Sequence, residues 1–374
     1  MEAGNHKLSA IGLPDTAAGK TQKTTSNHRY HRTLALARAP KSRRAFFMPA
    51  LARLRFLIQA GFTIFCLFAG YRFFCFYLRM MDRSEASVSR SPSVEAFLPI
   101  SALLGLKRLI LTGKWDEIHP AGLTIFISAL VIALLIRKGF CGWICPVGFV
   151  SSLIEKVGRP LRSDKAMPVW LDYSLLCLKY LLLAFFSYVI LLRMDLESIE
   201  AFLYSPYNRV ADAKMLLFFL QPSSLTIAVI GSLCLLSLVV KNFWCRYLCP
   251  YGALLGLLAV FSPIQVKRKT SLCIDCKKCE KICPAAIRIT RNRTLRHAEC
   301  IGCMECVEVC PEKGCLSMAG LAGKRLPIAV IPVAVLGIFG LFYISALVTG
   351  HWHSTIPPEA AKPLYQAIET FAHP

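Results

Sequence analysis

Residues 140–148 read FCGWICPVG, and residues 243–252 read FWCRYLCPYG, so the chain carries Cys-x-x-x-Cys-Pro-x-Gly twice. Each copy follows a long apolar stretch, residues 120–136 and 225–240. A residue before proline is biased away from helical geometry, while proline itself is favoured at the first position of a helix. Each motif therefore predicts a break, with a span ending near the first cysteine and a new helix beginning at Pro146 or Pro250. Cys145 and Cys249 would stand at helix N-termini, where the dipole favours a thiolate. Cys141, Cys145, Cys245 and Cys249 are thus candidate ligands of an additional thiolate-held redox site at the membrane face. A reversible dithiol pair and plain packing cysteines are the competing readings.

The motifs belong to a wider internal similarity. LRM at 78–80 recurs at 192–194, and VEAFL at 94–98 is echoed by IEAFL at 199–203, at nearly the spacing that separates the cysteine motifs. Each copy runs span, loop, returning span, cysteine motif, which predicts two parallel repeats related by an axis along the membrane normal. Two-fold pseudo-symmetry would bring the four cysteines together. The apolar but interrupted FLPISALLGLKRLILTG at 97–113 predicts a short helix along or dipping into the outer interface.

Of the 374 residues 55% are hydrophobic, and the mean hydropathy is +0.51. Five stretches read as spans: 56–78, 120–136, 171–192, 225–240 and 326–349. The second and fourth lie at or just below what a bilayer core of ~30 Å requires, so each is expected to run on into the cysteine segment after it. With a cytoplasmic N-terminus, the inward segments hold 32 of the 44 Lys and Arg. That bias follows the positive-inside rule and explains the net charge of +22 without nucleic acid. The C-terminus is then periplasmic. Residues 1–50 read as a basic, disordered cytoplasmic arm. Twelve of the 17 cysteines fall in four motifs that all face the reducing side, which makes them ligands rather than disulfides.

Residues 273–284 read CIDCKKCEKICP and residues 300–311 read CIGCMECVEVCP. Both fit C-x2-C-x2-C-x3-C-P, the run that holds [4Fe-4S] clusters in two-cluster ferredoxins. In that pattern three close thiolates wrap one cluster and the fourth ligates the other. The expected sets are Cys273, Cys276, Cys279 and Cys310 for one cluster, and Cys300, Cys303, Cys306 and Cys283 for the second. Zinc, which Cys-x2-Cys pairs also bind, is a poor competitor against two matched runs ending in Cys-Pro. Cys315 has no partner in the pattern and reads as a packing residue. Lys277, Lys278 and Lys281 suit a solvated face or the docking of an acidic partner.

Two Cys-x-x-x-Cys-Pro motifs on transmembrane repeats, followed by a two-cluster module, resemble the polytopic membrane ferredoxins of bacteria (NapH/NosR-type). That group includes the membrane quinol-dehydrogenase component of periplasmic nitrate reductase. The resemblance covers residues 50–350 and implies an electron-transfer subunit in the bacterial inner membrane, in contact with lipid, linked to the quinone pool and to redox partner proteins. A related group that assembles copper-containing oxidases gives the alternative, an iron-sulfur accessory, assembly or regulatory factor.

The expected fold class is an α-helical integral membrane protein of about five spans in two parallel repeats, carrying an inserted 2[4Fe-4S] ferredoxin-like α+β domain. Its expected divisions are a basic arm 1–50, repeat one 51–168, repeat two 169–265, the ferredoxin domain 266–322, and a last span with tail 323–374. Lys179, inside the third apolar stretch, reads either as a functional group near a quinone carbonyl or as a snorkelling lysine. Arg72 reads as snorkelling, and His119, His351 and His353 gather on the outer side as candidate metal, haem or proton ligands.

Overall fold

In the computed structural model, residues 50–85, 88–161, 168–320, 323–327 and 329–371 are described, and the basic arm expected over 1–50 lies almost entirely outside them. The chain order of helices is α1 (Ala50–Met80), α2 (Pro99–Thr112), α3 (Pro120–Ile136), α4 (Gly139–Trp143), α5 (Pro146–Gly158), α6 (Val169–Ser187), α7 (Leu196–Leu203), α8 (Pro206–Arg209), α9 (Ala211–Leu220) and α10 (Ser224–Val239). These are followed by α11 (Pro250–Val260), α12 (Lys278–Ile282), α13 (Glu305–Glu308), α14 (Val330–Val348) and α15 (Pro358–Gln366).

All five apolar stretches are helical, but among the described residues only three helices are by themselves long and apolar enough to cross a bilayer: α1, α6 continued to Arg193, and α14. The pair α9 and α10 makes a fourth if its 78° bend is taken as one broken span. The remaining stretch, α3, has 17 residues, of which twelve are buried. It packs against α14, α11 and α2 at the centre of the bundle. A helix covered by protein on most sides is apolar all round for that reason, whether or not it spans. Its small residues Ala121, Gly122, Ala129 and Ala133 let neighbouring backbones approach closely.

Both expected breaks are present. α5 starts at Pro146 with Cys145 extended before it (ψ 119°), and α11 starts at Pro250 with Cys249 extended (ψ 105°). The two copies nevertheless fold differently around their shared glutamate. VEAF lies in a 3-10 turn with Glu95 buried, whereas IEAFL lies in α7 with the Glu200 side chain 41% exposed.

The strands β1 (Gln265–Arg268), β2 (Thr294–Leu295) and β3 (Leu316–Ala319) form one antiparallel sheet in the order β2-β1-β3. Val266 of β1 faces Leu295 on one side and Met318 on the other. All three side chains enter the same core cluster as Trp143 and Leu255 of the helical bundle. The cysteine-bearing module therefore shares its core with the membrane helices instead of hanging from a linker.

At the opposite end of α3 the chain closes a buried ionic cluster. Arg90 contacts Asp212 at 2.7 Å and Glu95 at 2.8 Å, and Tyr365 of α15 donates to Asp212 at 3.3 Å. His119 bonds the Asn208 carbonyl at 2.7 Å and meets Arg90 at 3.2 Å. The tail is thus held over α1, where Tyr365 also meets Phe76 edge-on at 5.7 Å. Arg90 is the cation for two buried carboxylates, so Arg90→Ala leaves both Asp212 and Glu95 uncompensated and is expected to cost about 3–5 kcal/mol. A thermal melt in detergent that shows no fall in apparent Tm would contradict this.

Candidate iron-sulfur centres

The two cysteine runs turn alike at matching positions. Asp275 and Gly302 have φ of 50° and 63°, and Lys277 and Met304 have φ of 55° and 58°. Each loop curls back through these left-handed residues and presents its first three thiols to one side. Lys277 and Met304 then cap α12 and α13. The fourth cysteine precedes proline, is extended at Cys283 (ψ 118°), and leads the chain away from its own run.

The result is a crossed partition. One cavity is lined by Cys273, Cys276, Cys279 and Cys310, and a second by Cys283, Cys300, Cys303 and Cys306. Each contains three thiols from one run and one from the other, a donor set that could hold a [4Fe-4S] cluster. Burial is the largest influence on the thiols of Cys279 and Cys283 and pushes both up to about 11. Such thiols reach the thiolate form by binding metal and releasing the proton. Cys315, read from sequence as packing, also lines the first cavity, with its Sγ 3.6 Å from the Lys269 carbonyl. Only the fold brings it there, since no spacing rule includes it.

The two cavities differ in setting. At the first, Cys276 is exposed, and Leu272 and Ile274 are 42% and 39% exposed. The second lies against both Cys-x-x-x-Cys-Pro segments. The Lys138 amide donates to the Cys300 carbonyl at 3.3 Å, Trp143 Nε1 donates to Gly302 at 3.4 Å, and Asn242 donates to the Pro284 carbonyl at 3.0 Å. Gly142 allows this approach, because a Cβ there would lie 2.3 Å from the Ile301 carbonyl oxygen. Arg137, fully buried, spans the joint by donating to the carbonyls of Ala259, Leu295 and His297.

Glu299, next to Cys300, completes the joint. Its carboxylate accepts from Lys179 Nζ at 2.6 Å, Lys138 Nζ at 3.2 Å and the Tyr180 hydroxyl at 3.3 Å. Burial alone would raise its pKa, but the two ammonium groups outweigh that and hold it below the usual carboxylate value. Lys179 is therefore ion-paired to the module and does not snorkel. Sequence reading missed Glu299, Arg137 and Lys138, none of which carries a spacing signal.

Cys141, Cys145, Cys245 and Cys249 all line a cavity of about 840 Å³, together with Lys138, Glu299, Phe140, Tyr251 and Phe339. The Gly252 amide donates to Cys249 Sγ at 3.2 Å. Burial, the largest influence, pushes the thiols of Cys141, Cys145 and Cys245 up to about 12. In the protein alone, desolvation overrides the helix dipole that was expected to favour thiolates. The histidines expected to gather on one side do not share one site: His119 belongs to the buried ionic cluster, while His351 lies 4.9 Å from the Trp115 ring.

Comparison with known proteins bears on these sites. A 4Fe-4S binding domain family matches residues 118–163 and again 221–269, and a 4Fe-4S dicluster domain family matches residues 265–311. YccM of Escherichia coli (strain K12), whose name provisionally assigns it to electron transport, is 38% identical over 309 residues, covering 80% of this chain and 86% of that protein. The chain belongs to the membrane-associated 4Fe-4S ferredoxin-type proteins. The ferredoxin-type protein NapH of Haemophilus influenzae is 29% identical over 45% of this chain and 55% of its own length. The regulatory protein NosR of Pseudomonas aeruginosa is 29% identical over 46% of this chain but only 24% of its own length. No solved structure matches.

Glu299→Ala strands two buried ammonium groups and is expected to destabilise the module's seating by about 3–5 kcal/mol. Adding Lys179→Met should restore part of that loss. Limited proteolysis of the module in the single and double variants measures it, and equal cleavage in wild type and Glu299→Ala would contradict it.

Proposed function

We propose that this chain is an electron carrier of the bacterial inner membrane that links the quinone pool to redox partner proteins through two [4Fe-4S] clusters. The observation that carries the reading is the crossed partition of the eight motif cysteines, four to each of two cavities. Cys273, Cys276, Cys279 and Cys310 would hold one cluster, and Cys283, Cys300, Cys303 and Cys306 the other. Bound clusters supply one-electron exchange, while the protein sets their position and surroundings.

The rest of the chain is suited to that task. Exposed Leu272, Ile274 and Cys276 give the first site an edge that a partner protein can reach. The second site is turned toward the helical bundle and the large cavity, whose lining combines aromatic and apolar side chains with the polar Lys138, Glu299, Arg55, Asn242 and Arg246. A quinone ring fits the aromatic part of that lining, with its carbonyl oxygens toward the polar side chains. An additional thiolate-held redox site at Cys141, Cys145, Cys245 and Cys249 belongs to the same proposal. The excess of Lys and Arg in the cysteine-bearing segments supports a cytoplasmic module and a periplasmic C-terminus.

The test is EPR of the anaerobically purified, full-length protein before and after addition of a quinol. Reduced-cluster signals are expected to appear with quinol, and Cys283→Ser is expected to perturb mainly the cluster held by the second run. Signals that develop with dithionite but with no quinol would remove the quinone link.

A further inference from the structure

The Cys-x-x-x-Cys-Pro segments each bring two thiols, and two thiolates do not complete a cluster site. Yet each of these segments lies within a match to a 4Fe-4S binding domain family. The fold resolves this, because residues about a hundred positions apart line one cavity: Cys141 and Cys145 from the first segment, Cys245 and Cys249 from the second. We propose that these four cysteines together bind one further iron-sulfur cluster, shared between the two segments and seated between the second ferredoxin-type site and the large cavity. The inference rests on the electron-transfer reading above and gives the additional redox site a class and a neighbour.

Two features of the chain favour a cluster here. First, the four thiols, two from each segment, line one continuous cavity, and only the fold brings the two pairs together. Four thiols around one space match the number of protein ligands that a [4Fe-4S] cluster takes. Second, the surroundings are made for a group that remains anionic when ligated by four thiolates. Cys145 and Cys249 occupy the N-cap positions of α5 and α11, of 13 and 11 residues, and the Gly252 amide of the first turn of α11 donates to Cys249 Sγ at 3.2 Å. The Lys138 ammonium lines the same space.

The neighbour follows from the backbone. Gly142 lies between the first segment's cysteines, and the Ile301 carbonyl of the second ferredoxin-type loop rests directly on it. On the other side, Asn242, just before the second segment's cysteines, holds the Pro284 carbonyl that follows Cys283. Both halves of the shared site thus touch loops carrying ligands of the second site, whereas the first site faces away with Cys276 exposed.

Iron, acid-labile sulfide, zinc and copper are measured in the full-length protein purified anaerobically and reconstituted with iron and sulfide. About twelve irons per chain are expected, four for each of three clusters. Cys141→Ala with Cys145→Ala, and separately Cys245→Ala with Cys249→Ala, should each lose the same third of the iron, because the site is shared. The EPR signals of the ferredoxin-type clusters, retained in both variants, show that they have folded. A wild-type count of about eight irons that neither pair lowers, or one equivalent of zinc or copper that both pairs remove, overturns the shared cluster and leaves the two ferredoxin-type clusters standing. About four irons in the wild type would instead strike the two-cluster reading on which the inference rests.

Discussion

Glu299 is the point on which the rest of the structure depends. One carboxylate beside Cys300 satisfies two lysines, Lys179 from a membrane helix and Lys138 from the segment ahead of the first Cys-x-x-x-Cys-Pro motif. Buried lysines are tolerated only when paired, so the bundle and the cysteine-rich module each supply what the other lacks. Arg137 strengthens the joint with three carbonyl contacts, and the shared core of Val266, Met318, Leu255 and Trp143 closes it to water. A redox module fixed this way keeps a constant distance to the membrane.

The same joint gives the module a direction. Of the two cysteine-lined cavities of the module, one is pressed against the membrane segments and the other opens away from them. The opening has an apolar rim of Leu272 and Ile274 with Lys277 beside it, and the closed side abuts the large cavity through Ile301 and Pro284. The proposal of a carrier with one face for a protein and another for a membrane-soluble molecule rests on this geometry and on the crossed pairing of the cysteine runs. That pairing is itself a consequence of the proline after each fourth cysteine.

Much of this was legible in the sequence because it rests on local rules. The eight cysteine positions, the helices that begin at Pro146 and Pro250, and the apolar helical stretches all follow from spacing, the pre-proline restriction and hydropathy. What was not legible depends on long-range contacts. The pairing of Lys179 with Glu299 joins residues 120 positions apart, and nothing near Glu299 announces it. The membrane-like composition of α3 reflects burial in protein as much as any contact with lipid, a distinction that hydropathy cannot draw. The dipole argument for Cys145 was sound locally, but burial of the site outweighs it. Glu95 and Glu200, matched in sequence, end in different environments because only the first meets Arg90.

The central claim is that the module is seated on the membrane segments with its second four-thiol site innermost. The most direct measurement is a cryo-EM map of the anaerobically purified chain in lipid nanodiscs. Cluster density ringed by Cys283, Cys300, Cys303 and Cys306, lying against Gly142 with Glu299 bridging Lys138 and Lys179, is the result predicted. Clusters each held within a single run, or a module detached from the bundle, would contradict it.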